Sequence, residues 1–330
     1  GIARTLTNND VIVTQVAVSG DNSNKSQIYL NAGQDSSFAG NLTAQNNSDA
    51  NGVGDFYYVV PDDYLALCTA NLPEPTIGPN SGTNEQSDDY FNTVLYSGTN
   101  GTNNVSGVNF QPDWVWIKNR SSDGTFHAIH DSSRPTYAYL RTNGTNAENT
   151  DSGSDWFRSF GADGFQVVKT STGSGATGQW NNGGETYVAF NWKANGGTTV
   201  TNTDGSIDST VQANTTAGFS IVTWTGTGAT VTLGHGLGKK PDVMIVKNRA
   251  DTESWVVYHS ANTSAPATEY LLLNSTAGTA DNATLWNDTE PTDSVFTVYG
   301  QNAMNGSSDG MLAYLFTEVE GYSKFGSYTG

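Results

Sequence analysis

Four histidines, 32 acidic side chains and one cysteine are the groups of this 330-residue chain most able to do chemistry. His127 and His130 sit beside Asp131, and His259 follows His130 by 129 positions. Such a set could bind a metal or pass a proton. On a strand, however, residues three apart point to opposite faces. His127 and His130 therefore cannot share an ion unless the strand breaks, and at the matching place downstream His127 is replaced by Val256. The histidines are read as structural. His235 lies in Gly234-His-Gly-Leu-Gly238, a Gly-rich turn before Pro241. No helix signal follows it, so it is read as a loop and not as a phosphate cradle.

The carboxylates point the same way. Pro112, Asp113, Lys118 and Arg120 return as Pro241, Asp242, Lys247 and Arg249, an offset of 129 positions (112 to 241). Glycoside chemistry needs two carboxyls facing one cleft. Here each acid stands alone after a proline at a strand start, which suits a turn cap. No nucleophile elbow, zinc-protease, Walker or dinucleotide motif is present. Asp204-Gly-Ser-Ile-Asp208 could at most hold calcium weakly, and a solvated turn is the reading adopted. Cys68 has no partner for a disulfide and no neighbouring His or Lys to activate it, so it is expected to be a small core residue. The expectation is of a protein that is not an enzyme and carries no cofactor.

Three tryptophans remain as binding candidates. Trp156, Trp180 and Trp286 lie in Gly/Asn/Asp-rich surroundings outside clear strands. Exposed, they would be platforms for glycan rings; the competing reading is that they plug the ends of a β-sandwich.

Composition sets the frame for these groups. The net charge is −18 and only 14 % of residues are charged, so there is no basic track for nucleic acid. No apolar run approaches membrane-spanning length. Aromatic residues make up 11 %, while Asn, Thr, Ser and Gly supply the polar surface. This mixture suits strands joined by polar turns. Asn-x-Ser/Thr sequons such as Asn41, Asn104, Asn143 and Asn274 matter only where a host glycosylates.

The elements follow from alternation and turns. Val11–Val18, Gln27–Leu30 and Asp55–Val60 read as the last strands of a β domain over residues 1–75, with a linker over 76–90. A first repeat over 91–194 opens on Asn92–Tyr96, followed by a loop from Gly98 to Gly107. It continues through Asp113–Lys118, Thr125–His130, Tyr137–Leu140, Gly164–Val168 and Thr186–Trp192. Trp114 and Trp116 alternate with Val115 and Ile117, so that strand should be buried on both faces. Residues 195–216 read as a second linker, and 217–322 as a second repeat. Tyr96-Ser-Gly-Thr99 returns as Trp224-Thr-Gly-Thr227, and Lys324–Gly330 resembles the same opening. Residues 323–330 are thus expected to begin a third copy or to complete a neighbour. Gly1-Ile-Ala-Arg4 is neither an initiator Met nor a signal peptide, so the expectation is that something lies upstream or has been removed. The fold class is all-β, with tandem β-sandwich modules of jelly-roll or lectin-like type.

A resemblance adds to this. Asn31–Gln45, Gly54–Tyr58 and Leu65–Pro73 resemble a stretch of large virion proteins of marine tailed bacteriophages, where it closes a SPRY-like or concanavalin-like sandwich. Phe110–Lys118, Tyr187–Lys193 and Glu318–Gly330 resemble the modules that follow it there. Ala32 departs from that family, which carries Phe at this place. The resemblance implies a structural virion protein: a tail fibre, spike or capsid-decorating appendage on the virion surface. It implies other virion proteins as partners, a homo-oligomer such as a trimer, and host-surface glycan recognition. It brings no catalytic residues. The rival expectations are a secreted bacterial adhesin or filament subunit, and a glycan depolymerase.

Overall fold

The computed structural model describes residues 15–20, 26–62, 64–71, 75–78, 84–150, 155–169 and 180–328. The chain divides into two compact units, Gly1–Glu74 and Pro75–Gly330. The fold is all-β, with 37 % of the described residues in strands and 5 % in helices.

In the first unit β1 (Gln15–Gly20) and β2 (Ser26–Asn31) form an antiparallel hairpin. The expected strand from Val11 falls partly outside the described residues. After β2 the side chains claim the backbone. Asn31 Oδ1 accepts from the amides of Gly33, Gln34 and Asp35, and Asn31 Nδ2 donates to the Asp55 carbonyl. Asp49 accepts from the amides of Asn51, Val53 and Ala66 and from Asn71 Nδ2. Such local bonds compete with a sheet ladder. Asp55–Val60, expected as a strand, therefore makes only the isolated bridge Asn47–Phe56. The Phe56 ring is instead fully buried with Val60 and Ala66, and partly buried Cys68 packs against them.

The second unit holds two modules of one topology. In the first, β3 (Phe91–Ser97), β4 (Thr102–Ser106), β5 (Trp114–Asn119), β6 (Ala128–Asp131) and β7 (Leu140–Arg141) are followed by β8 (Asp155–Gly161), β9 (Gly164–Lys169) and β10 (Thr186–Trp192). They make a five-stranded sheet, β3-β10-β5-β6-β7, and a three-stranded sheet, β4-β9-β8. The second module begins with β11 (Val200–Asn202), β12 (Ser209–Asn214), β13 (Phe219–Thr225) and β14 (Val231–Gly234). β15 (Val243–Asn248), β16 (Val256–His259), β17 (Glu269–Leu272) and β18 (Ala280–Asp281) follow. α1 (Ala283–Trp286), β19 (Val295–Val298), α2 (Asn302–Asn305) and β20 (Gly310–Phe316) complete it. Its large sheet runs β11-β12-β13-β20-β15-β16-β17-β18, and β14 pairs with β19. The order β13-β20-β15-β16-β17 repeats β3-β10-β5-β6-β7 strand for strand.

The modules are fused and not strung on a tether. Val115 and Ile117 face the core of their own module, with Phe157, Phe165 and Val167. Trp114 and Trp116 face the other way, into a third core shared with Phe219, Ile245, Trp255, Leu312 and Tyr314 of the second module. The two large sheets thus pack back to back, and the stack is four sheets deep. Register shows the symmetry of this packing. Trp192 lies opposite Trp114, and Phe316 lies opposite Val243. Trp192 and Phe316 are therefore equivalent, and their rings meet with centroids 6.4 Å apart. Equivalent residues touching each other mark an isologous, two-fold-like contact.

Several expectations are corrected here. Residues 195–216 are not a linker: β11 and β12 extend the large sheet along the edge of β13. The described residues of 76–90 are not a free linker either, since Ile77 and Tyr90 are buried with Ala217 and Val319. The expected loop Gly98–Gly107 contains β4. Residues 323–328 add no strand; Phe325 packs on Phe316 at the rim of the shared core, and Tyr328 is exposed. The match of His130 to His259 is off by one. Asp131 lies opposite Trp114 and His259 opposite Val243, so His259 is equivalent to Asp131 and Tyr258 to His130. The turn into the sixth strand is one residue longer than the turn into its counterpart.

Candidate functional site

The repeated residues build architecture in both copies. Asp113 accepts from Ser132 Oγ at 2.6 Å and from the amides of Ala194 and Gly196. Asp242 accepts from Ser260 Oγ at 3.0 Å and from the Glu318 amide. Each acid ties the start of a central strand to the chain leaving the neighbouring one. Pro112 and Pro241, both buried, fix the backbone just before them. The Gly-Thr openings have an equally physical reason. A Cβ on Gly98 would lie 1.9 Å from the Asn182 carbonyl oxygen, and one on Gly226 1.9 Å from that of Gly306. Beside them, Asn181 and Asn305 side chains hold the following loop through the amides of Thr99 and Thr227. These two asparagines escaped the sequence reading because their partners are 82 and 78 residues away.

Lys118 and Arg120 part company with their copies. Lys118 Nζ donates to Thr125 Oγ1, and Arg120 is exposed. Lys247 is closed to solvent and donates to the carbonyls of Asp251, Glu253 and, across the modules, Thr145. Burial pulls its pKa down to about 8, against the opposing pull of Glu253 and Asp251. Arg249 pairs with Glu148 at 2.7 Å. Glu148 also binds Arg134, which pairs with Asp131 at 2.6 Å, and Asp131 accepts from Tyr314 Oη. Two carboxylates and two guanidiniums thus neutralise each other at the module junction. Burial raises the pKa of Glu148, but the Arg249 hydrogen bond and the charges of Arg134 and Arg249 outweigh it, and the net shift is downward. This assembly locks the modules together.

The open surface candidate lies on the outer, three-stranded sheet of the first module. A groove of about 210 Å³ runs over Asn104, Ser106, Ser159, Asp163, Gly164 and Gln166. Register sets Asn104, Gln166 and Ser159 in one row across β4, β9 and β8. A β-bulge between Phe157 and Ser159 brings Ser159, and not Arg158, into that row. Ser106, Gly164 and Gly161 form the adjacent row. Gly164 has φ +145, and a Cβ there would lie 2.0 Å from the Val105 carbonyl oxygen. Asp163 accepts from the amides of Asn109 at 2.7 Å and Gly107 at 3.1 Å. Those bonds hold its carboxyl below the usual range. Among the described residues it is the one carboxylate lining the groove, so no second member of a glycosidase-type acid–base pair lines it there.

A family model matches residues 86–330. The chain belongs to the DUF7483 family, a domain of unknown function. The DUF7483 match runs unbroken through both modules and through 195–216, the same stretch that packs around shared cores. No curated protein and no solved structure matches the chain.

Within the DUF7483 domain two of the three tryptophan candidates are withdrawn. Trp180 is 3 % exposed and donates from Nε1 to His130 Nε2 at 2.9 Å. Trp286 is fully buried and donates to the Glu269 carbonyl. Each ring serves as core and each N–H has an internal acceptor. The Trp156 backbone lies in β8, but its side chain is outside the described residues. His130 stacks on Phe157 with centroids 4.4 Å apart, and burial, with Arg134 nearby, pushes its pKa down to about 3. Accepting at Nε2, the neutral ring carries its proton on Nδ1. His235 is buried, with Nδ1 accepting from the Leu237 amide. Asp204 accepts from Asn202 Nδ2. Among the described residues no group of three or more His, Cys, Asp or Glu is placed to hold a metal.

Proposed function

We propose that this chain is a structural protein of a tailed-phage particle, part of a fibre, spike or capsid-decorating appendage, whose outer face contacts host-surface saccharides. The fused double module carries this reading. Its repeated polar residues are spent on clamps, and its buried charges on the junction. What results is a stiff body with an acidic, polar surface, suited to bearing load and presenting a face. The resemblance of Asn31–Gln45 and of the repeats to phage virion proteins supports the setting. Homo-oligomers and neighbouring virion proteins are its partners in this reading, and a lectin-like use of the outer sheet is its contact mode. Repetition of the chain in a particle would let weak surface sites act together.

Immunogold labelling of purified virions with antibodies to the full chain tests this. Label at regular positions on intact particles is the expected result. Soluble or cell-attached protein with unlabelled particles would overturn it in favour of a secreted adhesin.

A further inference from the structure

We infer that the row Asn104–Gln166–Ser159 on the outer sheet is a binding site for an uncharged saccharide. The inference rests on the surface-contact reading above and names its site. Gln166 Nε2 donates to Asn104 Oδ1 at 2.7 Å. That bond aligns the two amides and leaves Asn104 Nδ2 as a donor and Gln166 Oε1 as an acceptor. Neighbouring hydroxyls of a sugar ring each give and take a hydrogen bond, and this pair, with the Ser159 hydroxyl, meets that need. Beside the row, Gly161 and Gly164 leave a strip without side chains, on which the C–H face of a ring can lie.

The second module acts as an internal control. Val105 pairs with Phe165 as Leu233 pairs with Phe296, so Asn104 is equivalent to Thr232 and Gln166 to Thr297. There Thr297 is buried and the chain closes the free edge of β14 beside Thr232. The Ser206 amide donates to Thr232 Oγ1 at 2.8 Å, and the Ser206 hydroxyl bonds to the Thr232 backbone on both sides. A hydroxyl-bearing segment thus flanks one copy of the row at its strand edge, while Asn104 in the other copy is exposed. Charge selects against acidic sugars: Asp163 stands at the groove's end and the chain carries a net −18.

The test is a titration of the full chain, wild type and Asn104→Thr/Gln166→Thr, with dextran and mannan oligosaccharides as neutral probes and alginate oligosaccharides as acidic ones. The substitutions install the second module's residues, so folding is retained. Saturable shifts of the Asn104 and Gln166 side-chain amide signals with a neutral probe are expected. Affinity in the variant should fall about tenfold or more, from two lost hydrogen bonds. Equal affinity in the variant, binding of alginate alone, or no binding of any neutral probe would overturn the site. The particle labelling described above is independent of all three outcomes, so the loss of this site and the loss of the structural reading are separable.

Discussion

Trp114 of the first module stacks on Tyr314 of the second, with ring centroids 4.4 Å apart and planes 27° from parallel. Trp114 is 2 % exposed and also meets Trp192, Phe219 and Phe316. One indole therefore binds both sheets of the shared core. Replacing it opens a cavity that neither rigid sheet can close.

Trp114→Ala should cost about 3–5 kcal/mol of stability, the usual range for removing a large buried aromatic. In denaturant the two modules of the Pro75–Gly330 unit should unfold in a single transition moved to lower concentration. Loss of the first module alone, with the second unfolding as before, would contradict a shared core.

Glu148→Gln should cost about 3–5 kcal/mol, because Arg134 and Arg249 lose their common counter-ion in a buried setting. Arg120→Ala, at the exposed equivalent of Arg249, should stay within about 0.5 kcal/mol. The contrast between these variants checks that the two copies use one sequence for different work.

Stability should rise with pH in the acid range, and His130 supplies part of the slope. Its folded pKa of about 3 lies below the ordinary value of 6.5. Between those values the unfolded chain binds a proton that the folded chain refuses. Stability is therefore lost as pH falls from 6.5 towards 3, by up to about 1.4 kcal/mol per pH unit. Glu148 acts in the same direction lower down: its depressed pKa gives stability above the unfolded carboxylate value that is lost as pH falls through the folded one. Ring NMR signals should show His130 neutral at pH 5. A His130 titrating near 6.5 in the folded protein would remove its share of the slope.

Gly98→Ala and Gly226→Ala should each destabilise by about 1–3 kcal/mol or more, since the added methyl meets a carbonyl oxygen at 1.9 Å. Thermal melts of both variants check this. Similar losses in the two are expected because the contact is duplicated.

Much of the fold was legible in the sequence because central strands carry apolar residues on both faces. Val115/Ile117 and Trp114/Trp116 announced a strand covered twice. They could not say whether the second cover belonged to the same sandwich or to the next module. Strands β4, β11 and β12 are missed because they are polar. β4 buries only Val105 of its five residues, so it reads as a loop. β11 and β12 lie in a Gly/Thr/Asn stretch and take their order from β13. Trp180 and Trp286 misled because local polarity does not report distant partners; His130 lies 50 residues from Trp180. The groove was invisible for the same reason: only the pairing of β4, β9 and β8 sets Asn104, Gln166 and Ser159 side by side.

Native-state hydrogen exchange on the full chain tests the fused double module most directly. Amides of β9, in the outer sheet of the first module, and of β19, in that of the second, should open with the same free energy to within about 1 kcal/mol. If one set opened several kcal/mol below the other, the modules would be independent sandwiches, and the account given for their repeated residues and their shared junction would fail.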